Sequence, residues 1–297
     1  MIARKRRRYW PVVRLVFIYV AAFLVLIETL APMAWMVISS LSPAVELLSS
    51  PPHWIPQEVT FERYQSMLSL AEVGFRGSMV EGPASAFLQG LLNSLIVAAI
   101  TVLISLILGL LAAFAFARLQ FRFSTALLMG IMALQMLPPI ATVVPLFAIF
   151  QQLHLTDTLA ALILTDSGVA VTYIIWVMTA YVRTLPSELE DAARIDGTSH
   201  FGAYLRITLP IATPGIIAAG TMAFLNTWNE FLFALVMSFT PAAKTMPVVI
   251  SEFSTRFGLD YGMMMTGGVL ASIPPVLIAA FFQRYLVQGL SAGAVKG

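Results

Sequence analysis

Long apolar runs alternate with short polar ones along almost the whole chain. A helix needs roughly 20 apolar residues to cross a bilayer, and six runs meet that length: Val12–Ser39, Phe87–Ala117, Ser124–Phe150, Leu159–Val182, Pro214–Phe239 and Met263–Tyr285. The third carries Pro138-Pro139 and the sixth Pro274-Pro275. In water such pairs end a helix; inside a bundle, neighbouring helices and polar side chains take up the freed carbonyls. A tolerated kink is therefore expected at each pair in preference to a break at a gate. The pattern predicts an all-α membrane protein, a single domain over 1–297 with six spans. Three hydrophilic stretches separate them, at about 42–86, 183–213 and 240–262.

Charge sets the orientation. Arg4-Lys5-Arg6-Arg7-Arg8 precedes an apolar run too long for the core of a signal peptide, with no small-x-small cleavage site after it, so the first span is expected to stay. With the N-terminus inside, 13 of the 17 Lys and Arg fall on the inner side; only Arg63, Arg76, Lys244 and Arg256 fall outside. That is the positive-inside bias. It predicts cytoplasmic N- and C-termini, with 42–86 and 240–262 extracytoplasmic and 183–213 cytoplasmic.

Composition removes most chemistry. Of 297 residues, 59% are hydrophobic and 11% charged, against about 45–50% and about 25% in soluble domains, and the mean hydropathy is +0.87. A net charge of +2, with the basic residues in short juxtamembrane clusters, gives no footprint for nucleic acid. The absence of cysteine excludes disulfides, thiolate zinc sites and cysteine nucleophiles. His53, His154 and His200 are far apart, so no metal site is expected, and no H-E-x-x-H or Ser-His arrangement falls at membrane depth. Catalytic residues are expected to be none. None of Lys5, Lys244 and Lys296 follows a G-x-x-x-x-G-K-[ST] loop, so no nucleotide site is expected either.

The inner stretch 183–213 is the most structured-looking polar segment. Ser187-x-x-Glu190 has capping-box spacing. Leu189, Ala192, Ala193 and Asp196 take neighbouring helical positions, with small alanines allowing close approach, and Gly197 stands where a left-handed residue ends a helix. A second short helix is predicted from Ser199 to Pro210. The result is a helix–Gly–helix hairpin on the cytoplasmic face, readable from the residues as a docking element or as an ordinary interfacial loop.

Asp191-Ala192-Ala193-x-x-x-Gly197, then nine residues, then Ile207-x-Leu209-Pro210 resembles the EAA signature of bacterial ABC importer permeases, Glu-Ala-Ala-x3-Gly-x9-Ile-x-Leu-Pro. Only the first position differs, with Asp191 for glutamate. Pro52-His53-Trp54-Ile55-Pro56 with Thr60-Phe61-Glu62-Arg63-Tyr64, Asn226-Thr227-Trp228-Asn229-Glu230-Phe231, and the tail from Gln288 to Gly297 resemble the MalG-type branch of carbohydrate importers. The resemblance implies a type I ABC importer permease fold and a role as one half of the pathway for a sugar, a di- or oligosaccharide. It implies as partners a second, MalF-like permease, two ATP-binding subunits and an extracytoplasmic sugar-binding protein, in a bacterial or archaeal cell membrane, the inner one where there are two. It implies that Ser187, Glu190, Asp191, Ala192, Ala193, Gly197, Ile207, Leu209 and Pro210 form the ATPase-coupling element. ATP and Mg would sit on the partner subunits, with no cofactor on this chain. A permease for another solute, such as a polyol phosphate, stays open, since the signature reports coupling and says nothing of cargo. An ion-gradient secondary transporter is the more distant alternative, and it leaves the ordered hairpin without a purpose.

Glu28, Asp166 and Glu230 fall within spans, where an ionised carboxylate in lipid costs at least about 2.5–3.5 kcal/mol, so each should face protein or a watery cavity, or be neutral. Asn226, Asn229 and Glu230, with Gln135 and Asn93, supply the donors and acceptors a polyol pathway needs, and Trp228 and Tyr173 the stacking faces. The alternative is interhelical hydrogen bonding, worth about 0.6 kcal/mol per contact. Glu28 reads as a structural or subunit-interface residue.

Overall fold

The computed structural model describes residues 3–47, 49, 53–68, 83–119, 121–253 and 260–294. Pro52, most of the acidic stretch after Leu68 (Glu72 and Glu81 included) and Val295-Lys296-Gly297 lie outside the described residues. The elements are all helical: α1 (Ala3–Leu41), α2 (Ala44–Leu47), α3 (Glu62–Leu68), α4 (Pro83–Arg118), α5 (Ser124–Leu134), α6 (Pro139–Gln152), α7 (Leu159–Thr184), α8 (Glu188–Ile195), α9 (His200–Ala203), α10 (Leu209–Ile211), α11 (Thr213–Trp228), α12 (Leu232–Met237), α13 (Met246–Glu252) and α14 (Tyr261–Ala294). A π-helical turn, Tyr204–Thr208, joins α9 to α10.

Among the described residues four helices are long and apolar enough to cross a membrane, namely Val13–Leu41, Ser85–Arg118, Leu159–Thr184 and Tyr261–Val287. Two further pairs pass only if each bent pair is one span: α5 with α6, bent by 91°, and His200–Ile211 with α11, bent by 76°. The expected third span is therefore no kinked rod. Pro138 is extended (φ −67°, ψ 133°) and Pro139 opens α6, because a residue ahead of a proline is driven out of the helical region. The expected fifth span is likewise divided, α11 ending at Trp228 and α12 beginning at Leu232. At Pro274-Pro275, by contrast, α14 runs on unbroken. Pro275 has no N–H for the carbonyl of Ala271, one turn back, and the indole N–H of Trp228 donates to that carbonyl at 3.2 Å instead.

The described chain falls into two units. One holds α1–α3 and the start of α14. Arg63 donates to the Ser42 carbonyl at 2.6 Å, Tyr64 and Ser40 share a hydroxyl–hydroxyl bond of 2.6 Å, and Gly268 leaves room for the Met36 thioether, which a Cβ would approach to 3.0 Å. The apolar side chains of α1 from Val13 to Met33 are exposed, tolerable only where lipid or another subunit replaces water.

The other unit is built on α4 against α7, with α11 laid across both. Gly109 permits the crossing: a Cβ there would stand 2.6 Å from Ile174 Cγ2. Ala113, Ala170, Ile174, Met178, Ala219 and Ala223 make a small-residue core around it. A second core, from Val97, Val143, Phe150, Leu162, Phe233 and Met237, seats α6 and α12. Between α6 and α7, Asp157 adopts φ +60°, and its carboxylate accepts from the N–H groups of Phe239 (2.7 Å) and Thr240 (3.0 Å) and from the Thr240 hydroxyl (2.7 Å). Asn93, buried on α4, donates to the carbonyls of Pro241 (3.0 Å) and Lys244 (2.9 Å), and Ser94 accepts from the Met246 N–H at 2.8 Å. Lys244 pairs with Glu252 at 2.6 Å. The segment 238–252 is thus fastened down.

Candidate functional site

Two features stand out in the second unit: the hairpin α8–α10 and a cleft among α5–α7, α11 and α12.

In the hairpin, Glu188, Glu190 and Asp191 crowd the first turn of α8, where the helix dipole favours negative charge. The expected capping box is absent. Ser187 is itself helical (φ −74°, ψ −21°) with no side-chain cap, because Glu190 has a stronger partner. Its Oε1 accepts from the Arg118 Nε at 2.8 Å and the Thr208 hydroxyl at 2.9 Å, and Arg118 also donates to the Leu185 carbonyl at 2.9 Å. A charge-assisted, largely buried bond outcompetes a backbone N–H at an exposed helix end. Glu190 thereby ties both arms of the hairpin to the end of α4. At the far end, Gly197 takes φ +88°; its N–H bonds Arg194 O and that of Thr198 bonds Ala193 O, each at 3.0 Å, the paired bonds of a Schellman stop. Ser199 then caps α9 by accepting from the Gly202 N–H at 3.1 Å.

Asp191, Ala192 and Gly197 are exposed, and Ala193, Ile207 and Leu209 half-buried. Leu189, Ala192 and Ile195, spaced three apart, make an outward apolar face, with Ile195 87% exposed. The signature does not contain Ile195, yet its i+3, i+6 spacing from Leu189 is the signal that finds it.

The cleft, about 620 Å³, opens where α5 gives way to α6 and where α11 gives way to α12. Gln135 comes from the α5–α6 break, Asn229 and Glu230 from the α11–α12 break, Asn226 from α11, and Asp166 and Tyr173 from α7. Irregular backbone at membrane depth is tolerated where it lines a cavity. Gln135 donates to the Val169 carbonyl at 2.9 Å, holding the α5–α6 break against α7. Asn229 donates to the Leu225 carbonyl at 2.8 Å. Glu230 accepts from the N–H groups of Phe233 (2.7 Å) and Ala234 (3.0 Å), so it caps α12 from within the break.

Of the six residues the sequence pointed to as pathway-lining, the structure brings Gln135, Asn226, Asn229 and Glu230 to one cleft. Trp228 is buried on the Ala271 carbonyl and Asn93 on the Pro241–Lys244 loop. Among the described residues no group of His, Asp and Glu is arranged to hold a metal ion.

Residues 105–292 match the family described as binding-protein-dependent transport system inner membrane component. The trehalose transport system permease protein SugB of Mycobacterium tuberculosis is 34% identical over 295 residues, 99% of each chain. The sulfoquinovosyl glycerol transport system permease protein SmoH of Agrobacterium fabrum is 31% identical over 279 residues, 94% of this chain and 93% of its own. A solved bacterial ABC transporter involved in the import of the acidic polysaccharide alginate has a chain that superposes with a TM-score of 0.72 at 16% identity, covering 94% of this chain and 96% of that one. At that identity the likeness is one of fold.

Proposed function

The chain belongs to the binding-protein-dependent transport system inner membrane component family, and on that premise we propose that it is one transmembrane half of an ATP-driven importer for a di- or oligosaccharide. It is an integral protein of the cell membrane and a transport component, not an enzyme. In this reading six spans carry the chain across, both termini are cytoplasmic, and a second permease completes the pathway. The membrane is that of a bacterium or archaeon, the inner one where there are two. The sugar class rests on relatives named for trehalose and sulfoquinovosyl glycerol transport.

The observation that carries the coupling role is the hairpin. An exposed apolar face, Leu189–Ala192–Ile195, is presented on a short helix that is fixed to the spans through Glu190, Arg118 and Thr208. A rigid apolar knob fits a groove on an ATP-binding subunit. Two such subunits would hold the ATP and Mg, and their closure would pull on α8 and, through Arg118, on the end of α4. The cleft with Gln135, Asn226, Asn229 and Glu230 supports the solute pathway, and an extracytoplasmic binding protein would deliver the sugar.

The test is a mild-detergent pull-down of the tagged chain from native membranes. A second permease and a P-loop ATPase are the expected companions. A folded chain recovered alone, with transport independent of ATP, overturns the proposal in favour of a secondary transporter.

A further inference from the structure

We propose that solute leaves the cleft for the cytoplasm along the seam between α5 and α7, past the indole of Trp176. The inference rests on reading the cleft as part of the solute pathway, in the orientation proposed with it, and it adds the route by which that pathway continues inward.

A second cavity, about 280 Å³, lies between α5 and α7, with Leu128 and Met132 on one wall and Trp176, Ala180 and Arg183 on the other. It continues the cleft along both helices. On α7, Val169 and Tyr173 line the cleft. Trp176, Ala180 and Arg183 follow at steps of three, four and three residues, which keeps them on the same helical face. On α5, Gln135 lines the cleft, and Met132 and Leu128 lie three and seven residues before it, again on one face. The numbering falls along α5 as it rises along α7, so both faces run together from the break at Gln135 toward the cytoplasmic ends of their spans.

Trp176 is the informative residue. It is 49% exposed, and among the described residues its indole N–H meets no acceptor. It stands about 7 Å from the midpoint of the span Leu159–Thr184, whereas the interfacial belt that suits tryptophan lies about 15 Å out. Against lipid at this depth the N–H would be buried without a partner. Against a watery path it is solvated, and the ring offers a stacking face to a sugar. Met132 opposite supplies a flexible thioether that repacks as a bulky solute passes. At the inner mouth, Arg183 comes just before Leu185, whose carbonyl Arg118 holds, so the mouth adjoins the hairpin that an ATP-binding subunit would move.

The chain has no cysteine, so single thiols report on the seam without knowledge of the cargo. Met132→Cys and Ala180→Cys line the seam cavity and leave Trp176 in place. Val169→Cys reports on the cleft, and Leu103→Cys, at an exposed position near the middle of α4, gives an apolar baseline. The full complex is kept in sealed inside-out vesicles. Labelling by a membrane-impermeant disulfonated maleimide is measured by mass on this chain, without nucleotide and after trapping with MgATP and vanadate. Val169→Cys is also labelled in opened vesicles.

An import path open at both ends would leak, so its inner segment must open in one state and shut in the other. Both seam thiols should exceed the Leu103→Cys baseline at least about tenfold in one state and slow at least about tenfold in the other. If either stays at the baseline throughout while Val169→Cys reacts, lipid or another subunit covers the seam; the route falls and the pathway reading stands. Equal fast labelling in both states marks a permanent crevice and overturns the route alone. Val169→Cys at the baseline in opened vesicles, in both states, overturns the pathway reading and the route with it.

Discussion

The bond from the Trp228 indole to the Ala271 carbonyl exists because Pro275 cannot make it. Its removal has a calculable effect: Trp228→Phe leaves a buried carbonyl unpaired and should cost about 1–3 kcal/mol. Pro275→Ala restores the helix's own donor, so the double variant should recover most of that loss. Thermal unfolding of the four members of the cycle in detergent measures it, and equal losses with and without Pro275 would refute the account. Asp157 gives a second expectation at this scale. Burial pushes its carboxyl up, but hydrogen bonds from Thr240 and Phe239, with the Lys244 charge, outweigh it and hold the pKa below the usual 3.8. A lowered folded pKa adds stability above the unfolded pKa and loses it as pH falls through the folded one. The stability advantage over Asp157→Asn should be flat above about pH 5 and decline progressively as pH falls below about 4, in unfolding measured across that range. Neither partnership was legible along the chain. Residues 228 and 271, and 157 and 240, are distant in sequence, and nothing local pairs them.

At the scale of the element, the hairpin divides into parts that position and parts that present. Gly197 stands at φ +88° with open space around its Cβ direction, so Gly197→Val meets backbone strain alone, about 1–2 kcal/mol. It should leave insertion and permease pairing intact while lowering uptake per ATP hydrolysed; unimpaired uptake would sink the coupling role. Glu190 and Asp191 are adjacent and opposite in consequence. Glu190→Ala strands Arg118 half-enclosed and should cost about 3 kcal/mol in the melting of the complex. Asp191, whose side chain is 64% exposed beside Arg194, should cost under about 1 kcal/mol on the same substitution. The stop at Gly197 and the second short helix were readable because left-handed residues and caps are local properties. The capping box misled because Ser187-x-x-Glu190 reports only what a helix end offers itself. Arg118, 72 positions from Glu190, decided otherwise. The proline pairs teach the same lesson: identical dipeptides break one span and pass through another, where the Trp228 indole serves the carbonyl that Pro275 cannot.

For the whole molecule, the proposed function assigns the two outward faces to different partners: the apolar one of the spans to lipid and a second permease, that of α8 to an ATP-binding subunit. Ile195→Asp should therefore strip the ATPase from the pull-down and keep the second permease. Loss of both, or of neither, would contradict that separation. The sequence by itself determined the all-helical membrane class, the family and the hairpin's outline. Hydropathy, turn residues and signature spacing are written in single residues or short windows, so no folding is needed to see them. The predicted orientation rests on the same local bookkeeping of charge. Tertiary structure alone decided which spans are divided, which polar residues meet in one cleft and which serve as caps and stand-in donors. Those outcomes depend on a buried group finding its partner from another helix, and the energy of that pairing, unlike hydropathy, exists only once the helices are side by side.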